Sequence, residues 1–127
     1  MHVRDLRDCS GPWKGFWIQD LIRGHMRLTL QFSGSDVNGR GNDAKGEFQV
    51  SGIFSDVNGG VLFTTTYQTH AVEYVGTWDG TFIYGKWTLH DEQFTEIGEF
   101  EIWPEKEEEM AGVGTATISE SLGMPSY

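Results

Sequence analysis

At 127 residues the chain is long enough for one domain with a core that needs neither disulfides nor a structural metal, and it leaves little room for a second domain. Its net charge of −10, from 19 acidic against 9 basic residues, argues against nucleic acid as a partner, because phosphate binding needs clustered Lys and Arg; it also disfavours anionic membrane surfaces. Aromatics at 13% together with 17 glycines suit short strands joined by tight turns better than helices.

The first ten residues are polar, with Arg4, Asp5, Arg7 and Asp8, and contain no apolar h-region, so no signal peptide is expected. No run approaches the roughly 18 apolar residues of a membrane helix. Cys9 is the only cysteine and excludes an intrachain disulfide, which favours a reducing, cytoplasmic setting.

The chain divides into an N-terminal arm (1–11), a strand-rich domain (12–104) and a tail (105–127). A first strand is predicted from Pro12 to Leu21, with Trp13, Phe16 and Trp17 as its bulky residues, followed by a turn at Arg23-Gly24-His25. Met26 to Ser33 then alternates without a break. Met26, Leu28, Leu30 and Phe32 share one face, while Arg27, Thr29, Gln31 and Ser33 share the other, the period of a strand with one buried and one wet side. A short strand follows at Val37–Gly41, then a turn at Asn42–Lys45 and a strand from Gly46 to Phe54, with Phe48, Val50 and Gly52 on one side. Further strands are predicted at Val61–Tyr67, Ala71–Trp78, Thr81–Leu89 and Glu96–Trp103. Asp79-Gly80 is the strongest two-residue hairpin signal, of the kind that supports a type I′ turn.

Eight strands with connections of about two to six residues leave no room for a parallel crossover, so they form an antiparallel meander. An all-β, eight-stranded, up-and-down barrel is the simplest closed form, since closure removes the exposed edges. Gly52, Gly76, Gly85 and Gly98 inside strands fit the bends of such a wall. A β-sandwich is the competing architecture and would need a long connection between sheets. The tail opens with Glu105-Lys106-Glu107-Glu108-Glu109-Met110-Ala111, a candidate for one or two helical turns that Gly112-Val113-Gly114 would stop. From Asp91 to Glu109 nine acids face one base, which reads as a solvated edge or, more sharply, as a docking surface for a basic partner or a weak cation site.

Ser-Asp-Val-Asn-Gly occurs twice, at Ser35–Gly39 and Ser55–Gly59, and reads as two turns that use the same residues for the same reason. From Asp36 the spacing of Asp36, Asn38, Gly41 and Glu47 partly fits a calcium loop, but Arg40 stands where an oxygen ligand is needed and no helices flank the segment. His2, His25, His70 and His90 fall in a tail or predicted turns; only His70 and His90 are placed to meet at one rim. No metal or other cofactor is expected. No nucleophile elbow or phosphate loop is present, Cys9 sits in a polar arm, and Glu99 and Glu101 share a strand face that reads as wet rather than catalytic. An enzyme is therefore not the expected reading.

Gly11-Pro12-Trp13 and Gly15-Phe16-Trp17, opening a strand ahead of a meander, resemble the Gly-x-Trp start of calycin barrels, the group that holds lipocalins, fatty-acid-binding proteins and avidins. The length and glycine pattern are closest to avidin-like and short lipocalin-like members. The resemblance implies that Trp13 or Trp17 packs across a closed barrel end. Lipocalins place a late-strand Arg over that Trp; here no Arg follows Arg40, and Lys86 is the nearest substitute. The polar biotin-binding set of avidins does not map onto the chain, so biotin is not an expected ligand.

Two functions follow. In the first, a small apolar or aromatic ligand enters a cup lined by Trp13, Trp17, Tyr74, Phe82, Tyr84, Trp87 and Phe100, which requires an internal cavity of about 300 Å³ or more, open at one end. In the second, the same rings fill the barrel, and the outer wall and the tail assemble identical chains into a homo-oligomer. Apolar residues on both faces of Val72–Val75 and Phe82–Tyr84 motivate the second.

Overall fold

The computed structural model describes residues 4–105. They form a short 3₁₀ helix (Leu6–Cys9) and eight strands: β1 (Gly11–Gln19), β2 (Ile22–Ser33), β3 (Asp36–Asp43), β4 (Gly46–Phe54), β5 (Gly60–Thr66), β6 (Ala71–Trp78), β7 (Ile83–His90) and β8 (Thr95–Pro104). Each strand pairs antiparallel with the next, and β8 returns to pair with β1 from Trp13↔Pro104 to Ile18↔Glu99. The sheet is therefore a closed up-and-down meander barrel, the architecture that the calycin resemblance implies. Among the described residues no helix is long and apolar enough to cross a membrane. The expected helical turns after Glu105 lie outside the described residues.

The alternation of β2 holds as read: Met26, Leu28, Leu30 and Phe32 are buried and the residues between them are exposed. The turn before it does not. The chain reverses at Asp20-Leu21, where Asp20 adopts φ 57°, and Gly24 lies inside β2 opposite Trp17. A Cβ at Gly24 would stand 2.1 Å from the Trp17 indole, so this glycine serves ring packing rather than a turn. Asp79-Gly80 likewise belongs to a longer connection. The Asp79 amide donates to the Phe82 carbonyl, its carboxylate accepts from the Thr81 and Phe82 amides, and only Gly80 has positive φ, which rules out a type I′ turn.

The repeated pentapeptide adopts two structures. Asp36–Gly39 is strand, because Gly34 (φ 62°) has already turned the chain, whereas Asp56–Gly59 is turn, closed by Gly59 (φ 74°). The calcium-loop spacing dissolves too: Asp36 and Glu47 sit at opposite ends of the β3–β4 ladder.

One barrel end is plugged. Trp13, with no exposed surface, packs against Phe32 and Trp78, and its indole N–H donates to the Cys9 carbonyl at 2.8 Å. The Trp78 indole donates to the Arg4 carbonyl at 2.7 Å. The N-terminal arm thus satisfies two indole donors that the plug would otherwise strand. Arg7 fastens the arm: it pairs with Asp5 and Asp56, donates to the Gly34 carbonyl and lies over the Phe54 ring. The cation at this end comes from the arm, not from Lys86, which lies on the outer wall beside Glu99. The residue after β8 lies beside the start of β1: the Glu105 amide donates to the Pro12 carbonyl and its carboxylate meets Arg27 at 3.3 Å.

Trp13→Ala should lower the free energy of unfolding by about 3–5 kcal/mol in urea denaturation, because a fully buried ring and the acceptor carbonyl of Cys9 both lose their partner. A loss below about 1 kcal/mol would show that the plug does not depend on this ring.

Candidate functional site

The opposite end of the barrel carries the β1–β2, β3–β4, β5–β6 and β7–β8 turns and forms the mouth. Its wall is built by a single device used twice. Trp17 lies over Gly24 and Trp87 over Gly98, each indole filling the space above its cross-strand glycine; a Cβ at Gly98 would stand 2.4 Å from the Trp87 ring. The Trp87 indole N–H donates to the Ile18 carbonyl at 3.1 Å, tying the wall across the closure seam.

Asp43, the last residue of β3, stands between the rings. Its Oδ2 accepts from the Tyr67 hydroxyl and from the Trp17 indole at 3.2 Å, and its Oδ1 accepts from the Lys45 amide at 2.9 Å. A carboxylate has about four lone-pair sites, so three donors leave about one free. The Lys45 ammonium lies 5.2 Å from the Trp17 ring centre. His70 stacks on Tyr67 with centroids 4.4 Å apart.

Beneath this rim the interior is filled. Tyr74 stacks on Phe63 at 4.7 Å, and Phe100 meets Tyr74 edge-on at 4.9 Å. The cavity that opens among Trp17, Asp43, Tyr67, Tyr74 and Trp87 measures about 30 Å³, room for a water-sized group. The large internal cup expected for an apolar ligand is thus occupied at this end by Phe63, Tyr74 and Phe100.

The expected cup residues separate into three groups. Trp17, Tyr74 and Trp87 meet at the mouth, with Phe100 packed under Tyr74. Trp13 belongs to the plug at the other end. Phe82 and Tyr84 lie on the outer wall instead, Phe82 edge-on to Trp103 and Tyr84 exposed, because the inward position between them belongs to Ile83. Asp43, Tyr67, Lys45 and Thr65 were missed. Asp43 and Lys45 sit in a segment that reads as turn, and the inward phase of Thr65 and Tyr67 is visible only as an extension of Val61 and Phe63.

Burial first, and then the Asp43 carboxylate, push the Tyr67 and Tyr74 phenols far above the ordinary range; the neighbouring Thr65 hydroxyl pulls weakly the other way. Thr65 is fully buried, with its hydroxyl beside the Tyr67 and Tyr74 phenols. His70 and His90 both stand at this end, but His70 stacks on Tyr67 and His90 lies beside Thr95. Among the described residues no three His, Cys, Asp or Glu side chains gather closely enough to hold a metal ion. No protein-family model matches the chain, and no curated protein shows significant similarity to it.

The raised phenols fix a pH dependence. The folded protein keeps both protons above the value of about 10 at which a free phenol ionises, while the unfolded chain releases them, so stability should fall as pH rises beyond that point. Absorbance titration should show Tyr67 and Tyr74 ionising only as the barrel unfolds, and Tyr67→Phe should flatten the alkaline decline. Reversible ionisation of all phenols with the fold intact would contradict the packing described.

Proposed function

We propose that this protein is a small calycin-like binding barrel that receives the polar head of a small ligand at its mouth, with the rest of the ligand lying across the rim. The observation that carries this reading is Asp43: a carboxylate held by three donors at the centre of an aromatic wall, with acceptor capacity left over. Aromatic walls with few, fixed polar groups are the usual composition of small-molecule sites.

Binding is favoured over catalysis by where the reactive groups stand. Glu99 and Glu101 lie on the outer face of β8, Glu99 beside Lys86. The Cys9 thiol is buried within the arm, and burial raises its pKa, the reverse of an activated nucleophile. The test exploits the distribution of the five tryptophans. In ¹H–¹⁵N spectra of the full chain, a library of small fragments should include compounds that shift the indole signals of Trp17 and Trp87 while leaving Trp13 and Trp78 in place. A library that moves no mouth indole would end the reading.

A specific feature supports homo-oligomerisation as a second, compatible role. Ile53, Leu62 and Val75 are direct cross-strand partners on the outer wall of β4–β6, and they remain 54%, 45% and 56% exposed. A contiguous apolar row three strands wide, bounded by Asp36 and Lys86, suits a two-fold contact with a second copy. Analytical ultracentrifugation should then show a dimer that Leu62→Asp converts to monomer. A wild-type protein that sediments as monomer at micromolar concentration would remove this role.

A further inference from the structure

We infer that the ligand head bound at the mouth is a primary ammonium group, an inference that rests on the mouth being the binding site. Three independent observations point to a cation. The first is the pairing of partners: the cavity lining sets Trp17, Tyr67, Tyr74 and Trp87 beside one carboxylate, Asp43, with the Lys45 side chain at its edge, and rings beside a carboxylate attract an organic cation through ring quadrupoles and an ion pair together. Both phenols are held neutral, so the wall adds no second negative charge that would need a second cation.

The second is that the chain already supplies such a group. Lys45 extends its own ammonium over Trp17, and its backbone amide is fixed by Asp43. The residue that presents a cation to this wall is exposed and sits at a turn. A ligand ammonium would compete with the Lys45 side chain for the Trp17 face and would use the Asp43 acceptor site that Lys45 leaves open.

The third is size and field. A cavity of about 30 Å³ accepts an –NH₃⁺ head, which is about as large as a water molecule, and is too small for a ring or a branched apolar group. In the turns around the same rim Asp20, Asp91 and Glu92 outnumber the one lysine, Lys45, and the chain as a whole carries −10, so the field draws cations toward the mouth and repels carboxylates and phosphates.

The experiment compares three compounds with one skeleton: phenethylamine, phenethyl alcohol and phenylacetate. Each is titrated into the full chain while the indole signals are followed. The amine should shift Trp17 and Trp87 with saturation, the alcohol should bind about tenfold more weakly or worse, and the acid should not bind, as expected when a charge-assisted contact is lost. Asp43→Asn keeps an acceptor for Tyr67 and Trp17 and should weaken the amine about tenfold or more. Lys45→Met should tighten it, and supplies a variant away from the Tyr67–Asp43–Trp17 hydrogen bonds should Asp43→Asn fail to fold. If the alcohol or the acid saturates the same two indoles as well as the amine does, the mouth stands as a binding site and the ammonium inference falls. If none of the three moves Trp17 or Trp87, the inference falls; if the fragment library moves neither as well, the binding site falls with it. Shifts confined to Trp103 on the outer wall, or amine affinity unchanged in both variants, also overturn the inference.

Discussion

Everything in this molecule depends on the seam between β1 and β8. Seven of the eight strand pairings join neighbours in sequence, and short connections make them local. The eighth brings Gly15 opposite Ile102 across most of the chain. Glycines let the two backbones approach on both sides of the seam: a Cβ at Gly15 would stand 2.1 Å from the Glu101 carbonyl oxygen, and one at Gly98 2.1 Å from the Ile18 carbonyl oxygen. Once that seam closes, every inward side chain faces the same axis. Trp13 and Trp17, two residues either side of Gly15, then fall at opposite ends of one interior, the first sealed by the arm and the second open at the mouth.

The same geometry explains why the two ends differ chemically. At the plug, the arm delivers backbone carbonyls to the indole donors and a guanidinium to the adjoining loops, so the polar groups find partners within the chain. At the mouth no segment crosses the opening among the described residues. Its polar groups converge on Asp43 from β1, the β3–β4 turn and the β5–β6 turn, and they remain within reach of a solute. Indoles laid on glycines make this wall rigid, since each ring fills the volume that a side chain on the neighbouring strand would have taken.

The architecture was legible because a half-buried sheet writes its period into the chain. Met26 to Phe32 shows this most plainly, and Gly46–Phe54 and Ala71–Trp78 were bounded correctly from alternation and turn residues. Misreadings cluster at glycine. Gly24 and Gly80 look alike in sequence, yet one is a strand residue under a ring and the other sits in a four-residue connection. Two identical copies of Ser-Asp-Val-Asn-Gly fold differently because the turn was already made before one and not before the other. The site was half legible. Bulky inward residues such as Trp17, Tyr74 and Trp87 announce themselves, whereas Asp43 and Lys45 carry turn chemistry and become site residues only when closure brings β3 and β5 to a common rim.

The return of β8 beside β1 has a topological consequence. Pro12 and Glu105 are hydrogen-bonded neighbours across the seam. A ring whose ends adjoin can be cut elsewhere and rejoined there, so the order in which the strands are written in the gene is not unique to the fold. A permuted chain opened at one of the mouth turns and linked between β8 and β1 would keep all eight ladders. It would also turn the seam into an ordinary hairpin, making the one long-range pairing of this barrel a local one and giving another pair of strands the task of closing the circle.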